Sequence, residues 1–213
     1  MAIARKADVF PSAVFLTLQL LLQSILITLV FNVRDVWFLS YFPASALTWA
    51  QLAIATLMPR AIDWAMTNGQ RQGRIKCMQM IYCYAAITFI TVASFFHVHP
   101  ATSAFIIYVS SQVMVEMLVS LFWDLCAEIF DVQQSKRLFG IINSGSLFGS
   151  GIAGFFCIPF IKSAKFTKPY ILYLLASTFL FSAGTWFSTK MLFASRGMYF
   201  VTRKKHDLHR EHT

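Results

Sequence analysis

The stretch 122-FWDLCAEIFDVQQSKRLFGIINSGSLFGSGIAG-154 decides how the rest of the chain reads. It joins the charged end of one apolar run to a second run crowded with Gly and Ser, through a polar turn holding Asp131, Gln133, Gln134, Lys136 and Arg137. That is how two membrane helices meet. Gly145 and Gly149 stand four apart, as do Ser146, Ser150 and Gly154, so each set lines one side of a helix and lets a neighbouring backbone come close. We therefore expect Gly145, Gly149 and Gly154 to be helix-packing positions.

Working outward, the same character holds along the chain. Hydrophobic residues make up 57% of 213 and charged ones 13%, with a mean hydropathy of +0.62, whereas a soluble domain carries about 25% charged residues. Lipid leaves open backbone groups unsatisfied, so each crossing must be a helix of about 20 apolar residues. Six runs qualify: about 13–31, 43–62, 78–96, 104–124, 140–161 and 170–192. The expected class is an all-α, polytopic protein with six transmembrane helices, followed by a basic tail over 196–213. The first run is too long for a signal-peptide core and reads as an uncleaved span.

Lys and Arg are retained on the cytoplasmic face. With the N-terminus inside, the inner segments hold 14 of these residues and the outer ones hold Arg34, Lys162, Lys165 and Lys168. Both termini are thus expected in the cytoplasm, in a cell (inner) membrane. The same bias, with attraction to anionic lipid headgroups, explains the net charge of +9 without a nucleic-acid partner.

No catalytic motif emerges. GxxxxGK, GxSxG and HExxH are absent from the sequence, and none of the six prolines opens the Pro-x-acid-x-x-base repeat of mitochondrial carriers. No enzyme activity and no cofactor is expected. Cys77, Cys83, Cys126 and Cys157 lie in or beside apolar runs and read as small hydrophobes. His206, His209 and His212 are interleaved with charges and read as a solvated tail, so no metal is expected. Trp37, Trp64, Trp123, Tyr170 and Tyr199 fall near span ends and read as interfacial aromatics.

Ionisable groups at membrane depth are the functional candidates, since a charged residue at a helix centre costs about 2.5–3.5 kcal/mol on insertion scales. Glu116 sits mid-run, and Ser120, Asp124 and Glu128 follow at four-residue steps, as one stripe toward the surface. Glu116 is either a proton- or cation-linked group or a protonated carboxyl bonded to a neighbouring helix. Asp124, Glu128 and Asp131 read as interfacial charges capturing Lys136, Arg137 or the basic segment 60–76. Gln19 and Gln23 share a face and either bond a neighbouring helix or line a cavity. Arg34 and Asp35 form an outer-loop pair if the first span ends near Phe31; if it continues toward Leu39, the guanidinium enters the cavity and could hold phosphate through two parallel hydrogen bonds.

Several of these residues occur together in a known pattern. Phe122-Trp123, Phe130-Asp131, Lys136-Arg137-Leu138-Phe139-Gly140 and glycines 145, 149 and 154 resemble the fourth-to-fifth helix hairpin of the ADP/ATP translocase family, nucleotide transporters of the major facilitator superfamily. The run FNVRD at 31–35 is similar to that family's first hairpin. Arg71-x-Gly73-Arg74 looks like the superfamily's Asp-Arg-x-Gly-Arg loop, with Gln70 in place of Asp. The resemblance covers roughly residues 10–195, as the N-terminal six-helix half of a twelve-helix fold. It departs in two places: the family's helix-four acid lies further ahead of the Phe-Trp pair than Glu116, and its extra basic residue after Arg-Asp has no counterpart.

The resemblance implies exchange of ATP/ADP, or another phosphorylated small-molecule anion, by alternating access at a midplane site between two halves. It places Arg34, Asp35, Glu116, Gln19 and Gln23 by the cavity. Arg71, Gly73, Arg74, Asp131, Lys136 and Arg137 become a cytoplasmic gate. Half a cavity does not alternate, so a second six-helix half or a homodimer is implied. The rival reading is a non-transporting remnant or helper acting through helix contacts.

Overall fold

A computed structural model of the chain describes residues 9–130, 132–162 and 170–195. They form six helices and, among the described residues, no strand: α1 (Val9–Tyr41), α2 (Ala46–Gln72), α3 (Arg74–Phe95), α4 (Pro100–Ile129), α5 (Val132–Lys162) and α6 (Tyr170–Ser195). The basic tail lies outside the described residues.

Most helices overrun their apolar runs, because a helix satisfies its own backbone and polar residues at its ends do not stop it. What ends them is specific turn chemistry. A single residue, Gly73, separates α2 from α3; its φ of +94° suits glycine, and its N–H donates to the Gly69 carbonyl at 3.0 Å. Pro100 opens α4 at the position where a missing N–H matters least.

The protein is a multi-pass membrane protein by the length and apolarity of its helices. Five of them, α1, α3, α4, α5 and α6, are long and apolar enough to cross a membrane. The sixth expected span falls short: α2 has ample length, but Pro59, Arg60 and Asp63 interrupt its apolar half. Segment 60–76, expected as a polar loop, is the second half of that helix, the Gly73 turn and the start of α3.

Without a hydrophobic force between helices in lipid, close packing decides which pairs form. The most extensive contact is α1 with α5, and small residues explain it. A Cβ on Gly145 would collide with the Thr17 carbonyl, and one on Gly149 with the Leu21 carbonyl. Ser24 Oγ donates to Ser146 Oγ across the same seam at 3.0 Å. Gly154 departs from the expectation: nothing lies within 4 Å of a Cβ there, because it sits about 140° around α5 from Gly149, while Ala153, which continues the Gly149 face, is buried.

The other substantial contacts are α3 with α6, α2 with α4, α3 with α4, α1 with α4, α2 with α3 and α1 with α6. Exchanging α1 with α4, α2 with α5 and α3 with α6 maps most of this set onto itself. Among the described residues the α2–α3 contact has no substantial counterpart, and α1–α5 and α3–α4 are each more than twice as extensive as theirs. Trp186, Tyr82, Phe89 and Phe122 are fully buried in the main core, while Phe38 and Tyr108 centre a smaller cluster between α1, α2 and α4. Trp37, expected as an interfacial anchor, is 1% exposed and packs on Phe96 with centroids 4.2 Å apart.

Candidate functional site

Because α1 runs on to Tyr41, Arg34 is a helical residue and not part of a loop. It is 7% exposed and its guanidinium is directed at the middle of α4. Nε–H donates to Asp35 Oδ1 at 3.0 Å, and Nη1–H donates to Gln112 Oε1. Gln112 Nε2 in turn donates to Glu116 Oε1 at 3.0 Å, so a polar chain links Asp35, Arg34, Gln112 and Glu116.

Two aromatic rings lie against the guanidinium. Arg34 Cζ lies 4.0 Å from the Phe31 ring centroid and 4.7 Å from that of Tyr108. Each π face attracts a desolvated cation, which offsets part of the cost of burying it. The Tyr108 hydroxyl accepts from Gln51 Nε2 at 3.2 Å, tying α2 to the same station. Three helices therefore converge on one guanidinium.

Arginine presents five N–H donors in a planar fork. Asp35 and Gln112 take two of them, leaving one on Nη1 and both on Nη2. The Asp35 carboxylate is half-exposed, with 51% of its side chain accessible. Such a fork can accept two oxygens of a phosphate or carboxylate in parallel.

The remaining candidates lie apart from Arg34. Gln19 is buried and donates to Thr185 Oγ1 of α6 at 3.0 Å. Gln23 is 1% exposed, with no protein partner for either amide atom. They precede Arg34 on α1 by about 22 Å and about 16 Å of helix. The structure thus separates a glutamine seam from the arginine station.

At the opposite end of α4, Arg74 binds both Asp124 and Glu128 through Nε and Nη1. Of the partners open to those two acids, the structure selects the segment after α2. Arg71, Lys136 and Arg137 are exposed, with no ion pair to any described residue; Asp131 lies outside the described residues. Lys136 instead borders a cavity of about 400 Å³ with Ala127, Phe130, Ser135 and Phe139, at the α4–α5 joint.

The polar row of α4 is longer and more twisted than expected. Tyr108, Gln112, Glu116, Ser120, Asp124 and Glu128 follow at strict steps of four. Each step overshoots a full turn by about 40°, so the row winds about 200° around the helix from end to end. Its first members accordingly face α1 and α2, while its last face α3. Sequence reasoning missed Gln112, Tyr108, Phe31 and Gln51. The signal for Gln112 and Tyr108 was the same four-residue step continued backward from Glu116.

Among the described residues no group of three metal-ligating side chains occurs. No family model matches the chain, and no curated protein or solved structure matches it either.

Proposed function

We propose that the chain is one lobe of a two-lobed membrane transporter of the major facilitator type, exchanging a phosphorylated anion, with ATP and ADP as first candidates, by alternating access. The observation that carries this reading is the Arg34 station: a buried guanidinium with three uncommitted donors, held by aromatic faces in the C-terminal third of α1 and directed at the middle of α4. A charge at such a site is costly unless it serves a substrate or ion path. The near-symmetric exchange of α1–α3 with α4–α6 adds support, since the halves of such transporters are built from inverted three-helix repeats.

In this reading Arg34 grips phosphate oxygens, Gln112 relays the change to Glu116, and Asp35 holds the guanidinium when substrate has left. The Arg74 clasp with Asp124 and Glu128 latches the opposite end, beside Gly73 and Arg71. Both termini then lie in the cytoplasm.

The test is labelled-nucleotide counterflow in proteoliposomes containing the chain and its second lobe. Arg34→Ala abolishes uptake and Glu116→Gln lowers it; no counterflow from the wild-type protein would end the nucleotide assignment. A second reading, a helper without transport of its own, draws on the fact that Arg34 already has protein partners in Asp35 and Gln112. It predicts that Arg34→Ala lowers stability and leaves any flux across the membrane unchanged.

A further inference from the structure

The outward face of α2 carries two exposed charges, Arg60 and Asp63, level with the middle of α4, a helix long and apolar enough to cross a membrane. Gln51 reaches Tyr108 of α4, and a Cβ on Gly69 would lie 2.8 Å from Leu121 of α4. Arg60 lies midway between Gln51 and Gly69, which sets it and Asp63 abreast of the Gln112–Glu116 segment, the middle of α4. Both side chains are exposed, and neither makes an ion pair with any described residue. Facing acyl chains, each would cost about 2.5–3.5 kcal/mol on insertion scales.

Their neighbours define a surface. At about 100° per residue, Trp49, Leu52, Thr56, Pro59, Arg60 and Asp63 fall within one sector about 80–100° wide. All six are exposed, Trp49 at 71% and Leu52 at 56%. The sector is aromatic and aliphatic at one end and carries both signs of charge, one turn apart, at mid-depth. An exposed tryptophan and an arginine are typical of residues that dominate an interface when a partner buries them.

We propose that this face of α2 packs against the same face of a second copy of the chain, about a two-fold axis along the membrane normal. Copies inserted the same way bring their α2 helices side by side and parallel. The one-turn offset then lets Arg60 of each copy meet Asp63 of the other, so both charges are neutralised by one self-complementary contact. The proposal rests on the two-lobed reading and names its second lobe as another copy of this chain.

Oxidative cross-linking of the full chain in reconstituted vesicles tests it. Thr56→Cys, at the centre of the sector, gives a disulfide-linked dimer above the wild-type background, whereas Phe181→Cys on exposed α6 does not. In the Thr56→Cys chain, Arg60→Asp or Asp63→Arg alone opposes like charges and lowers the linked fraction about tenfold. The double exchange restores it, which a merely misfolded single variant would not allow. No excess of linked dimer at Thr56→Cys, or no recovery in the double exchange, overturns the proposal. A chain that stays single yet supports counterflow once a different protein is supplied overturns it too, and leaves the two-lobed reading standing.

Discussion

Two arginines divide the work of this bundle, and they are bound in opposite ways. Arg74 is held directly by two carboxylates, Asp124 and Glu128, which compete with any further anion, whereas the second acid of the Arg34 chain, Glu116, stands one amide away from its guanidinium. Arg34 touches a neutral amide, two aromatic rings and one half-exposed carboxylate; each arginine commits two of its five donors, so the contrast lies in the charge of the partners. The difference teaches that burial of a guanidinium does not by itself define a binding site; the balance of its partners does. One arrangement closes the guanidinium with two anions; in the proposed reading the other, with a single anion and a neutral amide beside it, has charge left for a ligand.

The comparison is tested most severely at the arginines themselves. Arg34→Ala should lower initial counterflow rates at least about 100-fold, and Arg34→Lys, which keeps the charge and loses the planar fork, should lower them less. Arg74→Ala should instead lower unfolding stability by about 1–3 kcal/mol, since two carboxylates lose their common partner. Asp124→Asn in that background should recover part of the loss in a denaturation series. If Arg74→Ala removes uptake as completely as Arg34→Ala with stability intact, the contrast between clasp and site is wrong.

Smaller effects sharpen the contrast. Gly145→Val forces α1 away from α5 and should cost about 1–3 kcal/mol. Because α1 carries Arg34 but not the clasp, a double-mutant cycle should couple Gly145→Val to Arg34→Ala and show additivity with Arg74→Ala. Gln112→Ala breaks the link from Arg34 to Glu116 and should reduce uptake about tenfold, or about 1.4 kcal/mol. Gly154→Ala, with open space around it, should change stability by less than about 0.5 kcal/mol.

The helical class and most of the elements were legible in the sequence, because apolar runs of membrane length allow little else. Gly145 and Gly149 announced a close helix contact through spacing alone; that the partner is α1 came from the structure. Gly154 steps by four from Ser150 and so lies about 140° around α5 from Gly149; spacing shows that a small face exists and does not state which small face meets a neighbour. The end of the second helix was not legible: hydropathy drops at Arg60, yet the backbone continues as helix to Gln72, because a helix satisfies its own backbone whatever its side chains carry. For the site, Arg34 and Glu116 could be named as costly residues. Their link through Gln112 required knowing that α1 continues past Asn32 and that the α4 row winds toward it. Gln19 and Gln23, read as bonding a neighbouring helix or lining a cavity, lie well along α1 from Arg34: Gln19 bonds Thr185 of α6, and Gln23 is buried with no protein partner for its amide.

The central claim is that Arg34 is a binding group for phosphorylated anions. Titration calorimetry of ADP, ATP and inorganic phosphate into the purified full chain, wild-type beside Arg34→Ala at two salt concentrations, measures this directly. The account predicts saturable nucleotide binding that weakens with salt and disappears in the variant. Equal heats from both proteins, or none from the wild type, would contradict it.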